Sequence, residues 1–113
     1  MGLLDRRKKK VAENAASLVE AGETVERVAI VNQKANLKGR NYAVVATGEA
    51  VYVIRFTTFG ISKLDGVESR APIAAADLER KDHMLRVGEA AYFPLLMAKD
   101  DADELIEFVA ARS

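Results

Sequence analysis

The chain contains no cysteine and a single histidine, His83, so disulfide staples, thiolate nucleophiles and cysteine-built zinc sites are excluded at the outset. An excess of charge is missing too. Lysine plus arginine and aspartate plus glutamate number 17 each, so no global field draws the chain to nucleic acid or an anionic surface, and any such attraction must be local. Nor is there a long apolar run. The N-terminus MGLLDRRKKK places two leucines before its basic residues, the reverse of a signal peptide, and Arg6 stands where a myristoylation signal carries Ser or Thr. No segment is expected to export or to span a membrane, and the expected location is cytoplasmic.

Catalytic signatures are equally sparse. GRNYAVVATG lacks the glycine and lysine spacing of nucleotide loops, and His83, beside Asp82, reads as an exposed turn residue. The aromatics Tyr42, Tyr52, Phe56, Tyr92 and Phe93 fall in strand-like segments, where core packing is expected before base stacking. No enzyme activity, metal, cofactor or nucleic acid is expected.

What is present is the composition of a soluble globular domain. With 50% hydrophobic and 30% charged residues in 113, the chain can bury one core without staples. Leu4, Val11, Ala15, Leu18 and Val19 recur at helical spacing, which predicts a helix over 3–21 stopped by Gly22. From Thr24 onward β-branched and aromatic runs alternate with Gly, Asn and Asp, predicting strands near 25–33, 41–47, 50–58, 67–74, 77–82, 84–88 and 90–97. Tight reversals are expected at Thr47-Gly48, Asp82-His83 and Gly88-Glu89, so neighbouring strands should pair antiparallel as a meander. The final segment KDDADELIEFVAARS predicts a helix. Asp100 or Asp101 can cap it, Asp103 and Glu104 suit the positive end of its dipole, and Ala102, Leu105, Ile106 and Val109 form a stripe flanked by Phe108.

One strand pair departs from the usual alternation. A sheet with one wet face carries polar residues at every second position. Yet Ala50, Tyr52, Ile54 and Phe56 stand on one face of their strand and Val51 and Val53 on the other. Tyr42, Val44 and Ala46 likewise oppose Ala43 and Val45. Both faces of this hairpin need cover, for which the N-terminal helix is the economical candidate and a second copy of the chain the alternative.

Three stretches, YAVVATGEAVYVIRF, APIAAADLERKD and AKDDADELIEFVAARS, resemble the central hairpin, the strand-and-turn and the closing helix of small bacterial pleckstrin-homology-like domains. The likeness covers about residues 23–112. It implies an α+β fold: a seven-stranded antiparallel, partly open barrel capped by the C-terminal helix, with an amphipathic N-terminal helix (1–22) lying outside the shared domain (23–113). It further implies a non-enzymatic binding or scaffold module, which takes a protein partner or a second copy of itself. The alternative is reversible peripheral attachment to an anionic inner-membrane surface. Lipid-binding members carry a lysine, a short loop and two basic residues one apart, an order matched by Lys34, Lys38 and Arg40. Arginine there can donate paired hydrogen bonds to a phosphorylated headgroup. Asn32, Asn36, Gly39 and Asn41 make the same stretch an ordinary polar turn, so grip and turn both stand. A second candidate contact is TTFGISKLDG. There Phe59, Ile61 and Leu64 beside Lys63 form an apolar tip with a cation, unless the apolar residues tuck under the barrel rim. Arg6 to Lys10 would add local positive charge.

Overall fold

Seven strands lie between two helices in the computed structural model of the chain, which describes residues 3–57, 63–95 and 98–113. Helix α1 (Leu3–Ala16) is followed by β1 (Val25–Asn32), β2 (Asn41–Thr47), β3 (Ala50–Phe56) and β4 (Leu64–Pro72). A single 3-10 turn at Ile73–Ala75 leads into β5 (Leu78–Lys81), β6 (Met84–Val87) and β7 (Ala90–Pro94), and helix α2 (Lys99–Ala110) closes the chain. The strands form one antiparallel sheet in the order β4-β3-β2-β1-β7-β6-β5. It does not close. Among the described residues β1 pairs with β7 at Val31 opposite Pro94 and Asn32 opposite Phe93, with the Leu95 amide donating to the Ile30 carbonyl (3.2 Å), and the sheet folds over at that short corner. β4 and β5 remain as its two edges.

Several boundaries differ from expectation for identifiable reasons. The first helix stops at Ala16, five residues short of the predicted end. Ser17 Oγ donates to the Asn14 carbonyl (2.8 Å), the acceptor that the next helical turn would need, and the Leu18 amide turns to Ala15 instead (2.9 Å). Gly22, with φ of 90°, serves a later turn in a conformation that other residues adopt only with strain. The β2–β3 reversal sits one residue later than predicted, at Gly48-Glu49. Thr47 ends β2, and its Oγ1 accepts from the Glu49 and Ala50 amides at 3.1 and 3.0 Å. Neither Asp100 nor Asp101 caps α2. A turn closed by the Ala98 amide on the Leu95 carbonyl (2.7 Å) makes Ala98 the N-cap and puts both aspartates in the first turn, where they act through charge.

The two-faced hairpin determines the layering. On the inner face, Ala29 and Val31 of β1, Val44 and Ala46 of β2, and Val51 and Val53 of β3 pack against Ala102, Leu105, Phe108 and Val109 of α2. Ile106, expected in that stripe, is only half-buried at its margin. The Phe108 ring is flanked by the guanidinium groups of Arg27 (5.0 Å) and Arg112 (3.6 Å), which pins the end of α2 to β1. On the outer face, Val28, Ile30, Ala43, Val45, Tyr52 and Ile54 pack beneath Val11, Ala15 and Val19, so the N-terminal helix is the cover that the pattern required. Each large apolar side chain so buried contributes about 1.5–3 kcal/mol. A Lys8–Asp101 ion pair at 2.9 Å ties the two helices together across the sheet margin.

The segment leaving α1 is fastened by a polar knot on the outer face. Glu23, with 5% of its side chain exposed, accepts from Thr47 Oγ1 (2.5 Å), Tyr52 Oη (2.7 Å) and Arg70 Nη2 (3.2 Å). Tyr52 Oη in turn accepts from Arg70 Nε (3.0 Å) and from the Glu20 amide (3.1 Å). Burial alone would push the Glu23 carboxyl up. The hydrogen bonds from Thr47, Tyr52 and Arg70 outweigh it and hold the group below the usual carboxylate range.

A carboxyl held low in the fold stabilises above its unfolded value, near about pH 4.3, and that contribution is lost as pH falls through the folded value. Glu23→Gln should therefore lower the urea midpoint at neutral pH, with the gap to the parent chain narrowing at about pH 3. Urea titrations of both chains across that range check it; a gap independent of pH would contradict the assigned role.

Candidate functional site

The basic stretch of the sequence is a structured loop organised by a buried side chain. Asn32 ends β1 with 2% exposure, and its Oδ1 accepts from the Lys34 amide (2.9 Å) and the Gly39 amide (3.0 Å). Its Nδ2 donates to the Gly39 carbonyl (2.7 Å) and to Asn41 Oδ1 (2.8 Å), so one amide group gathers both ends of the loop. Gly39 suits the crossing: a Cβ there would stand 2.5 Å from Gln33 Cγ and 3.0 Å from Asn32 Oδ1, so the side chains around it would have to shift. At the tip, Leu37 has φ of 61° and is 38% exposed, a strained conformation for an apolar residue in water.

Lys34 and Lys38 project from this loop into solvent, and neither meets a carboxylate among the described residues. Arg40 behaves differently. Its Nε and Nη2 donate to the Phe56 carbonyl (3.2 and 3.1 Å) and Nη2 also reaches Asp65 Oδ2 (3.1 Å), so the guanidinium braces the β1–β2 loop against the base of β3 and β4. Arg55 lies beside it, 3.4 Å from Asp65 and 3.4 Å from Glu68. Two arginines and two carboxylates thus balance at this end of the sheet, and among the described residues Lys34, Lys38 and the exposed Lys63 have no carboxylate partner there. The Tyr42 and Tyr92 rings, 5.3 Å apart, line the inner wall nearby, and burial, with Tyr42 and Glu68 alongside, pushes the Tyr92 hydroxyl up.

Of the second candidate contact, Phe59 and Ile61 lie outside the described residues. Lys63 is exposed, whereas Leu64 opens β4 and packs half-buried against the outer core, so it is not part of an exposed tip. The run from Arg6 is described from Lys8 on. Lys8 is held by Asp101, and Lys9 and Lys10 are exposed.

One feature had no counterpart in the sequence reading: a groove of about 440 Å³ in the seam where the sheet fails to close. Glu68, Ser69, Arg70 and Ala71 of β4 form one wall, and the β6–β7 turn forms the other, with Val51 and Tyr92 toward the core. Alternate residues of a strand face opposite ways, so four consecutive β4 residues can line one groove only if the strand presents its edge. Among the described residues that edge makes no backbone hydrogen bond on the groove side. Pro72, tolerated in an edge strand, ends it. Hydrophobic alternation cannot announce such a site, because a seam depends on which strands fail to meet.

The described residues contain no group of three or more metal-ligating side chains, and no helix among them is long and apolar enough to cross a membrane. No protein-family model matches the chain, and no curated protein matches it either.

Asn32→Ala removes the acceptor and donor that hold the loop and leaves its inward backbone groups without partners, each costing about 1–3 kcal/mol where water cannot replace them. We expect a drop in thermal midpoint together with faster amide exchange at Lys34 and Gly39, while amides of β2 and β3 stay protected; uniform loosening of the sheet would contradict a local role.

Proposed function

We propose that this chain is a non-enzymatic interaction module of pleckstrin-homology-like architecture that binds a protein partner. The layout of seven antiparallel strands and a closing helix supports the architecture. The single observation that carries the binding role is the open seam. An edge strand with unpaired amides and carbonyls is a ready template for another chain, and stable folds ordinarily blunt or cover it. Here the C-terminal half of β4 is left beside a groove whose size falls in the range of ligand sites, about 300–1,000 Å³. Self-association through the doubly apolar hairpin loses its motive, because α1 already shields that face.

A specific observation also favours attachment to an anionic membrane as a second reading. Leu37, exposed and strained, stands between Lys34 and Lys38 at a loop tip made rigid by Asn32, an apolar point with two unbalanced cations. Arg40 is braced to Phe56 and Asp65 through Nε and Nη2, while its Nη1 makes no such bond among the described residues.

Selection of a random peptide library displayed on phage against the full chain should enrich a recurring sequence pattern; enrichment no greater than on an unrelated control protein would overturn the partner-binding role. For the membrane reading, co-sedimentation with vesicles containing phosphatidylserine should exceed that with neutral phosphatidylcholine vesicles. It should fall in the Lys34→Glu, Lys38→Glu double variant by at least about thirtyfold, since about 1 kcal/mol per cation removed gives about 2 kcal/mol and the reversal adds more. Equal binding to both vesicle types would eliminate it.

A further inference from the structure

The seam has the shape of a missing strand. The sheet ends at β4 on one side and at β5 on the other, and the groove between β4 and the β6–β7 turn opens toward Val51 and Tyr92, both at most 8% exposed. Small side chains stand among the charged ones on its rims: Ser69 and Ala71 on β4, Ala75 and Ala76 on the turn after it, and Ala90 opening β7. Small residues on both walls leave room for a backbone to lie against the edge. The four β4 residues that line the groove span about 13 Å at about 3.3 Å each. The N-terminal half of β4 is less receptive, since its pairing with β3 is irregular at both of its limits: Glu68, where the receptive stretch begins, is left unpaired between Ser69 and Val67, and Asp65 between Gly66 and Leu64. The opposite edge, β5, has only four residues, and Arg80 ties it to α2 through Asp103 at 2.9 Å.

Charge around the seam is net negative, although Arg70 is among its lining residues. Glu68, Asp77 and Glu89 line it. Glu79 joins Asp77 on Arg86, and Glu20 and Glu23 share Arg70. Six carboxylates therefore surround three guanidinium groups, those of Arg55, Arg70 and Arg86, and each guanidinium is already paired within the chain. Glu89 is exposed and meets no cation among the described residues. The hydrogen bonds from Arg86 hold the Asp77 carboxyl below the usual range, which keeps it charged at neutral pH.

We propose that the seam receives an extended basic peptide segment of a protein partner, added as a strand to the edge of β4 between Glu68 and Ala71. The inference rests on the interaction-module reading and names its partner's chemistry. Backbone hydrogen bonds to the β4 edge supply affinity without regard to sequence. Alternate small apolar side chains turn toward Val51 and Tyr92, and the intervening lysines or arginines turn out to the carboxylates.

The test uses the full chain, isotope-labelled, with three blocked pentapeptide probes: Lys-Val-Lys-Val-Lys, Glu-Val-Glu-Val-Glu, and the basic peptide with its central lysine replaced by proline. The basic probe should shift the amide signals of Glu68–Ala71 and Gly88–Ala90 and slow amide exchange along the β4 edge. The acidic and proline probes should bind at least about tenfold more weakly, as loss of a central contact entails. Ala75→Arg and Ala90→Arg, at exposed positions where folding is verified by an unchanged thermal midpoint, should weaken the basic probe by a similar factor. No shift at about 1 mM probe, equal binding of basic and acidic probes, or shifts confined to the 33–40 loop would overturn the proposal. If phage-selected peptides bind but map away from the seam, this inference falls and the interaction module stands; if no selected peptide binds at all, both fall.

Discussion

Everything in this molecule depends on covering a β-hairpin that is apolar on both of its faces. β2 and β3 present Val44, Ala46, Val51 and Val53 to one side and Ala43, Val45, Tyr52 and Ile54 to the other. A sheet so composed cannot leave either side to water without exposing an apolar patch. The chain meets the demand from its two ends, with α2 under the inner face and α1 over the outer. The Lys8–Asp101 pair and the knot of Glu23, Tyr52, Thr47 and Arg70 then fix the order of layers. Burial of the hairpin is non-directional; the polar contacts supply direction.

Covering the hairpin on both sides shifts attention to the sheet's margins. The broad apolar surfaces are covered by the helices, so recognition is left to loops and edges. At one margin the 33–40 loop holds two lysines and a strained leucine on a scaffold set by Asn32. At the other the unclosed seam offers strand edge, small side chains and negative charge. The two margins differ in sign: cationic at the loop, anionic at the seam. The proposed membrane contact and the proposed peptide contact therefore rest on charges of opposite sign.

Arg40 shows why spacing along a chain is an uncertain guide to a binding site. The order of Lys34, Lys38 and Arg40 suggested three cations converging on one ligand. In the fold, Arg40 is directed to the Phe56 carbonyl and Asp65 instead. Asp65 lies 25 residues further on and arrives there only because β4 returns along β3. Charge that looks unbalanced in a ten-residue window can be balanced by a strand that returns from afar.

The sequence by itself determined the α+β class, the order of the nine elements, and the need for cover on both faces of the hairpin. Those features follow from local periodicity, turn residues and the apolarity of successive positions, all of which act within a few residues. It also marked α2, although Ala98 is its cap, Ile106 lies at the margin of the apolar stripe and the helix ends at Ala110. Tertiary structure alone decided which face each helix took, that Arg40 became a brace, that Ser17 ended α1 early, and that a seam remained between β4 and the β6–β7 turn. Each of these depends on meetings between residues distant along the chain, set by strand register and by the corner where β1 hands over to β7. No local pattern encodes such meetings, because their energies exist only once the sheet has folded over on itself.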